Sequence, residues 1–125
     1  MVADCPFCTP PTGRIVEETT RVVVLRDGFP VSAGHTLILP KRHVSSFFDT
    51  TPGERAEMLD AIARTKAALD ALHSPDSYNV GINDGPAAGQ TVAHCHVHVI
   101  PRYAGDVEDP RGGVRWVIPD KARYW

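Results

Sequence analysis

Three histidines fall within five residues of one another, at His94, His96 and His98. They alternate with Cys95, Val97 and Val99 in a segment, 92–100, that reads as one long strand closed by Pro101. At a period of two, the imidazoles project from one face and the apolar residues belong with a core on the other. Several readings of that face compete. It is a solvated sheet surface, a three-histidine metal site, or a nucleophilic imidazole flanked by helpers. An expression tag is excluded by the internal position and the interleaved valines. Neutral imidazole is a competent nucleophile near pH 7, and its attack on a phosphorus ester gives a phosphohistidine that water can hydrolyse.

A second constellation lies at Cys5-Pro6-Phe7-Cys8. This C-x-x-C spacing places two thiolates on one tetrahedral ion, and zinc would need two further ligands. The redox reading wants such a pair at the start of a helix behind a strand, whereas here Thr-Pro-Pro follows.

The elements that must position these groups are short. Residues 14–18, 21–26 and 35–39 read as strands, with a turn cluster at Asp27-Gly28-Phe29-Pro30. One helix is well marked. Thr51 as N-cap, Pro52 in the first turn and Glu54 as its reciprocal partner form a capping box, and His73-Ser74-Pro75 closes the helix. Met58, Leu59, Ile62, Leu69 and Leu72 recur at helical spacing and are expected to form its buried stripe, with His73 a favourable charge at its C-terminus. Residues 77–82 read as a further strand, and 83–89 as a small-residue loop where backbone can approach a ligand. About five strands and one main helix give an α+β fold, an antiparallel sheet with the helix on one face.

The chain has 125 residues, enough for one domain with its own core. Thirteen Lys and Arg against fifteen Asp and Glu give a formal charge of −2, which argues against a nucleic-acid partner or an anionic membrane surface. No apolar run approaches the roughly 20 residues of a membrane span. The first ten residues lack the pattern of a signal peptide, so a cytoplasmic location with reduced or metal-bound cysteines is expected.

The run from Gln90 through His94-Cys95-His96-Val97-His98 to Arg102 resembles the signature of the histidine triad (HIT) superfamily of nucleotidyl hydrolases and transferases. Gly34-His35-Thr36-Leu37-Ile38-Leu39-Pro40 is similar to its second signature, a strand entered through Gly-His. The resemblance covers roughly residues 5 to 103 and is nearest to the Hint and Fhit branches and their zinc-bearing bacterial relatives. It implies a single HIT domain over 1–125, with a Cys-bearing N-terminal segment (1–13) and a C-terminal arm (104–125). It also implies cleavage at the α-phosphate of a purine nucleotide, a dinucleoside polyphosphate or a nucleoside phosphoramidate, through a covalent nucleotidyl-histidine.

Carried over by position, His96 becomes the nucleophile and His98 the group that binds the α-phosphate and bridging oxygen, with His35 in support from the neighbouring strand. Asn83, Gln90 and Thr91 match phosphate contacts, and Asp27 matches the residue that binds the ribose hydroxyls. Asp27 also suits a turn, Asn83 a loop cap, and Gln90 and Thr91 a strand edge. The resemblance further implies one structural zinc on Cys5, Cys8, His43 and His94, no organic cofactor, and a homodimer. Two other classes stay open: a nucleotide-sensing module without turnover, and a metal-dependent hydrolase with His94, His96 and His98 as ligands. In the arm, Arg111, Arg115 and Arg123 with Trp116, Tyr124 and Trp125 suit either a grip on a second nucleotide or packing and dimer contacts, and the latter is preferred.

Overall fold

Thr51, Pro52 and Glu54 set the start of the one long helix, α1 (Pro52–His73). The Thr51 hydroxyl accepts from the Glu54 backbone N–H at 3.1 Å, and the Glu54 carboxylate accepts from the Thr51 N–H at 2.8 Å. The computed structural model describes residues 4–125. Around α1 stand five strands: β1 (Ile15–Glu18), β2 (Val22–Arg26), β3 (Thr36–Pro40), β4 (Ser77–Ile82) and β5 (Val97–Arg102). They form one antiparallel sheet in the order β1-β2-β3-β5-β4, so β5 inserts between β3 and the strand that precedes it in sequence. A short helix, α2 (Pro119–Ala122), lies in the C-terminal arm.

The sheet buries both faces in its middle, which is why β2 and β3 are nearly continuous apolar runs. Val22, Val24, Ile38, Val97 and Val99 pack with Cys95, Met58, Ala61 and Leu69 on the α1 side. Val23, Leu25, Leu37 and Leu39 form a smaller cluster on the opposite side, covered by Phe7 and Ile15.

Three expectations need correction. The strand expected over 92–100 begins only at Val97 and runs to Arg102. Before it, the Gln90 side chain accepts from Gly85 N and donates to Ser45 O and Val92 O, and Cys95 N donates to Val44 O at 2.7 Å. These bonds replace the ladder and hold 91–96 in an irregular path. Pro101 does not end the strand, because β3 pairs only as far as Val99 and the missing N–H therefore costs no bond on that side. On α1, the buried residues are Glu54, Met58, Ala61, Thr65 and Leu69, while Leu59 and Leu72 are 63% and 64% exposed. The helix touches the sheet along a narrow stripe, and those two leucines lie off it. Buried Glu54 is neutralised by Arg42, whose Nη2 and Nε donate to it at 2.9 and 3.1 Å.

Candidate active site and metal centre

Gly34 is the hinge that admits His35. Its φ of +91° disfavours any side chain, and a Cβ there would lie 2.8 Å from Leu69 Cδ2 and 2.9 Å from His73 Cδ2. The loop before it is tied to β5 by Ser32 Oγ donating to Pro101 O at 2.7 Å, and by Tyr103 Oη donating to Ala33 O at 2.7 Å.

From this loop a chain of hydrogen bonds assigns the imidazole protons. Val31 N–H donates to His35 Nδ1 at 3.1 Å, so in the neutral ring the proton of His35 sits on Nε2. Nε2–H then donates to His98 Nδ1 at 2.9 Å, with Asp27 Oδ2 also 3.4 Å away. His98 must therefore carry its own proton on Nε2. Burial pushes His98 down to about 4, with His96 and His35 adding to the shift, so the ring is neutral near pH 7. Burial also lowers His35, and Asp27 opposes that shift.

His96 is arranged the other way round. Its Nδ1–H donates to the His94 carbonyl at 2.8 Å, which leaves a lone pair on Nε2. Among the described residues nothing takes Nε2 of His96 or of His98, and no buried side-chain nitrogen or oxygen lacks a partner. The two rings lie 5.1 Å apart between centroids, and Phe7 meets His96 edge-on at 4.9 Å. The arrangement offers one bare nitrogen beside one N–H donor, the pair needed to attack an electrophile and to hold its oxygen.

His94 turns away from both. Its Nε2–H donates to Pro40 O at 2.7 Å, which leaves Nδ1 free to ligate. That atom is 3.4 Å from Cys5 Sγ and 3.7 Å from Cys8 Sγ, and Cys8 Sγ is 3.3 Å from His43 Nδ1. All four atoms lie within 4.8 Å of one another. A tetrahedron with zinc–sulfur bonds of about 2.3 Å and zinc–nitrogen bonds of about 2.0 Å has S···N edges of about 3.5 Å, so the donor set fits zinc in both type and spacing. Burial raises the Cys5 thiol above its ordinary range, which a dication would oppose by favouring the thiolate, and lowers His94, which already favours the neutral ring that a metal needs. The three triad histidines do not converge on a common point, and the second cluster of possible ligands among the described residues is Asp27, His35 and His98.

The remaining expected site residues are distributed around this centre. Asp27 accepts from Phe29 N at 2.7 Å and so shapes the turn with one oxygen while the other faces His35. Asn83 is exposed on the wall of a cavity that also contains His35 and His98, and Thr91 is exposed on the loop. Gln90 spends both ends of its amide on the loop, as a brace. Three contributors had no readable signal: Val31 N–H, Pro40 O and His94 O are backbone groups, present at every position. Phe7 had one, its place between the two cysteines.

Comparison with known proteins places the chain in a family. A HIT domain is matched over residues 11–105, and the chain belongs to the HIT family. It is 41% identical over 107 residues to an uncharacterized HIT-like protein of Mycobacterium tuberculosis, covering 82% of this chain and 74% of that one. It is 38% identical over 80 residues to the asymmetrical bis(5′-nucleosyl)-tetraphosphatase of Schizosaccharomyces pombe, covering 64% of this chain and 44% of that enzyme. Among solved structures, a zinc-bound histidine triad family protein from Mycobacterium smegmatis superposes with a TM-score of 0.74 at 34% identity, covering 95% of this chain and 94% of that one. The five-stranded antiparallel sheet with one main helix is the fold these HIT-family structures share.

Proposed function

We propose that the protein hydrolyses or transfers a nucleotide at its α-phosphate through a covalent bond to His96. The observation that carries this is the opposed protonation of two neighbouring imidazoles: Nδ1–H of His96 is spent on His94 O, and Nε2–H of His98 is forced by His35. In the first half-reaction His96 Nε2 bonds to phosphorus while the bond from phosphorus to the leaving group breaks. His98 Nε2–H holds the bridging atom or a phosphate oxygen, and the leaving group takes a proton from solvent. In the second half, water oxygen bonds to phosphorus, the P–Nε2 bond breaks, and the water returns a proton. Asp27 binds the ribose hydroxyls, and Asn83 and Thr91 meet phosphate oxygens, while Gln90 keeps the loop in shape.

Cys5, Cys8, His43 and His94 would hold zinc, which with four protein ligands supplies a structural staple and no open position for water. Within the chain, that site fixes the His94 backbone whose carbonyl orients the nucleophile, and it presses Phe7 on His96. A second copy would pair along β4, an edge strand with a sheet neighbour on one side only among the described residues. Incubation with a labelled adenine nucleotide, acid quench and peptide mass spectrometry test the reading. An adenylyl group on the peptide containing His96 is expected, and turnover that persists in His96→Ala would remove the proposal.

A further inference from the structure

Asp84 stands next to Asn83, which is read above as a phosphate contact, so a fixed negative charge lies beside a site for anions. The conflict resolves in where its oxygens go. Ser46 Oγ–H donates to Asp84 Oδ2 at 2.9 Å, and Phe47 N–H donates to Oδ1 at 2.7 Å. Both oxygens are therefore spent on segment 45–47, while Asn83 lines the cavity that contains His35 and His98. Ser46 Oγ in turn accepts from Phe48 N–H at 3.1 Å, which fixes the start of a 3₁₀ turn over Phe47–Asp49. The carboxylate thus grips a piece of backbone that is itself held.

The loop that follows Asn83 is closed upon itself. Gly85 O accepts from Ala88 N–H at 3.0 Å and from Gln90 N–H at 3.1 Å, and Gly85 N–H donates back to Gln90 Oε1 at 2.7 Å. Gly85 and Gly89, with φ of +95° and +98°, make bends that a side chain would disfavour. A ring of this kind moves as one body. Among the described residues, two side chains tie it to the rest of the molecule: Asp84 to Ser46 and Phe47, and Gln90, whose Nε2–H donates to Ser45 O at 2.9 Å. Both ties land on three consecutive residues of one segment. The preceding residue of that segment, Val44, accepts through its carbonyl from Cys95 N–H at 2.7 Å, immediately before His96. With the Gln90 tie alone, the ring can pivot about Ser45.

We propose that Asp84 is a positioning residue, which with Ser46 latches the ring to segment 45–47 and so sets Asn83 and Thr91 toward the α-phosphate. The proposal rests on the reading of those two residues as phosphate contacts. The latch needs hydrogen bonds and not the charge. Asp84→Asn keeps an oxygen for Phe47 N–H and can turn its amide N–H to Ser46 Oγ, whereas Asp84→Ala offers neither. In the same reading the ribose is bound at Asp27, just past the end of β2 and outside the latch.

Titration calorimetry compares adenosine 5′-monophosphate with adenosine, which differ by the phosphate alone. Asp84→Ala should weaken the monophosphate about five- to tenfold, the scale of one or two lost polar contacts, and leave adenosine unchanged. Asp84→Asn should stay within about twofold of the wild type on both. Ser46→Ala should weaken the monophosphate by a smaller factor, because Phe47 N–H still holds the carboxylate. The double variant should bind no more weakly than Asp84→Ala alone, since the two residues form one latch. Equal loss on both ligands, no loss on either, Asp84→Asn no better than Asp84→Ala, or full additivity of the two alanine substitutions overturns the proposal. If the wild type binds the monophosphate no more tightly than adenosine, the phosphate reading fails separately, and hydrogen exchange decides the latch. The amides of Gly85, Ala88 and Gln90 exchanging about tenfold faster in Asp84→Ala, with those of α1 unchanged, support it. Unchanged exchange at those three amides overturns it.

Discussion

The two ends of segment 94–98 are held by opposite means. At the His98 end the backbone lies in a regular ladder between β3 and β4, which fixes where the ring stands but says nothing about its protons. The tautomer there is set from outside, by a relay that begins at the amide of Val31 and passes through His35. At the His94 end there is no ladder, and position and tautomer are fixed together by Pro40 O, by two thiols and by His43. His96 stands between them and takes its orientation from the irregular side. The lesson is that a sheet is a poor instrument for orienting an imidazole proton, and that this chain leaves its sheet where such control is needed.

The largest effect is expected at His96, between the two ends. His96→Ala should cut turnover by on the order of 10⁴ or more while adenosine 5′-monophosphate binding is retained, as measured by steady-state rates and calorimetry. Next comes the irregular end. Cys8→Ser should lower bound zinc well below one per chain by elemental analysis and cost about 2–4 kcal/mol of stability in urea, since a bound metal contributes directly to folding. Turnover should fall without vanishing, because His96 and His98 remain. A zinc content unaltered in Cys8→Ser would show that the ligands are others.

At the ladder end, Gly34→Ala should cost about 1–3 kcal/mol and slow turnover by displacing His35, because a methyl there collides with Leu69 and His73. Acidification sharpens the contrast further. His98 is pushed down to about 4 and His35 is also lowered, so between about pH 6.5 and 4 the unfolded chain binds protons that the folded chain does not. Stability should therefore fall as pH drops through that window and level off, for this pair, below it. The urea midpoint at pH 7, 5.5 and 4.5 reads this, and replacing both rings by Asn should flatten the dependence. The smallest effect belongs to the outer face of α1: Leu59→Ser should change stability by less than about 0.5 kcal/mol.

Much of this architecture could be read in advance where a side chain carries its own reason. The capping box at Thr51 and Glu54, the strand after Gly34 and the thiol pair at Cys5 and Cys8 each depend on residue type and spacing. Other features depend on tertiary partners. Strict alternation over 92–100 looks like one strand, yet β3 offers no ladder before Val97, and the Gln90 brace takes its place. Leu59 and Leu72 fit a helical period but not the narrow stripe that the sheet accepts. Val114 and Val117 line the cavity that holds Asn83, His35 and His98, yet they carried no signal, because the arm's periodicity is weak and its arginines find rings within the arm itself.

His94 serves two masters with separate parts of one residue. Its imidazole belongs to the thiols, while its carbonyl belongs to His96, and a carbonyl survives any substitution. The two duties can therefore drift apart over generations. A lineage that abandons its cysteines is free to replace the ring at this position and still inherit an aligned His96, provided packing keeps the peptide in place. The Cys5, Cys8, His43 and His94 cluster is in that sense separable from the orientation of His96, joined to it by a peptide oxygen that mutation cannot delete.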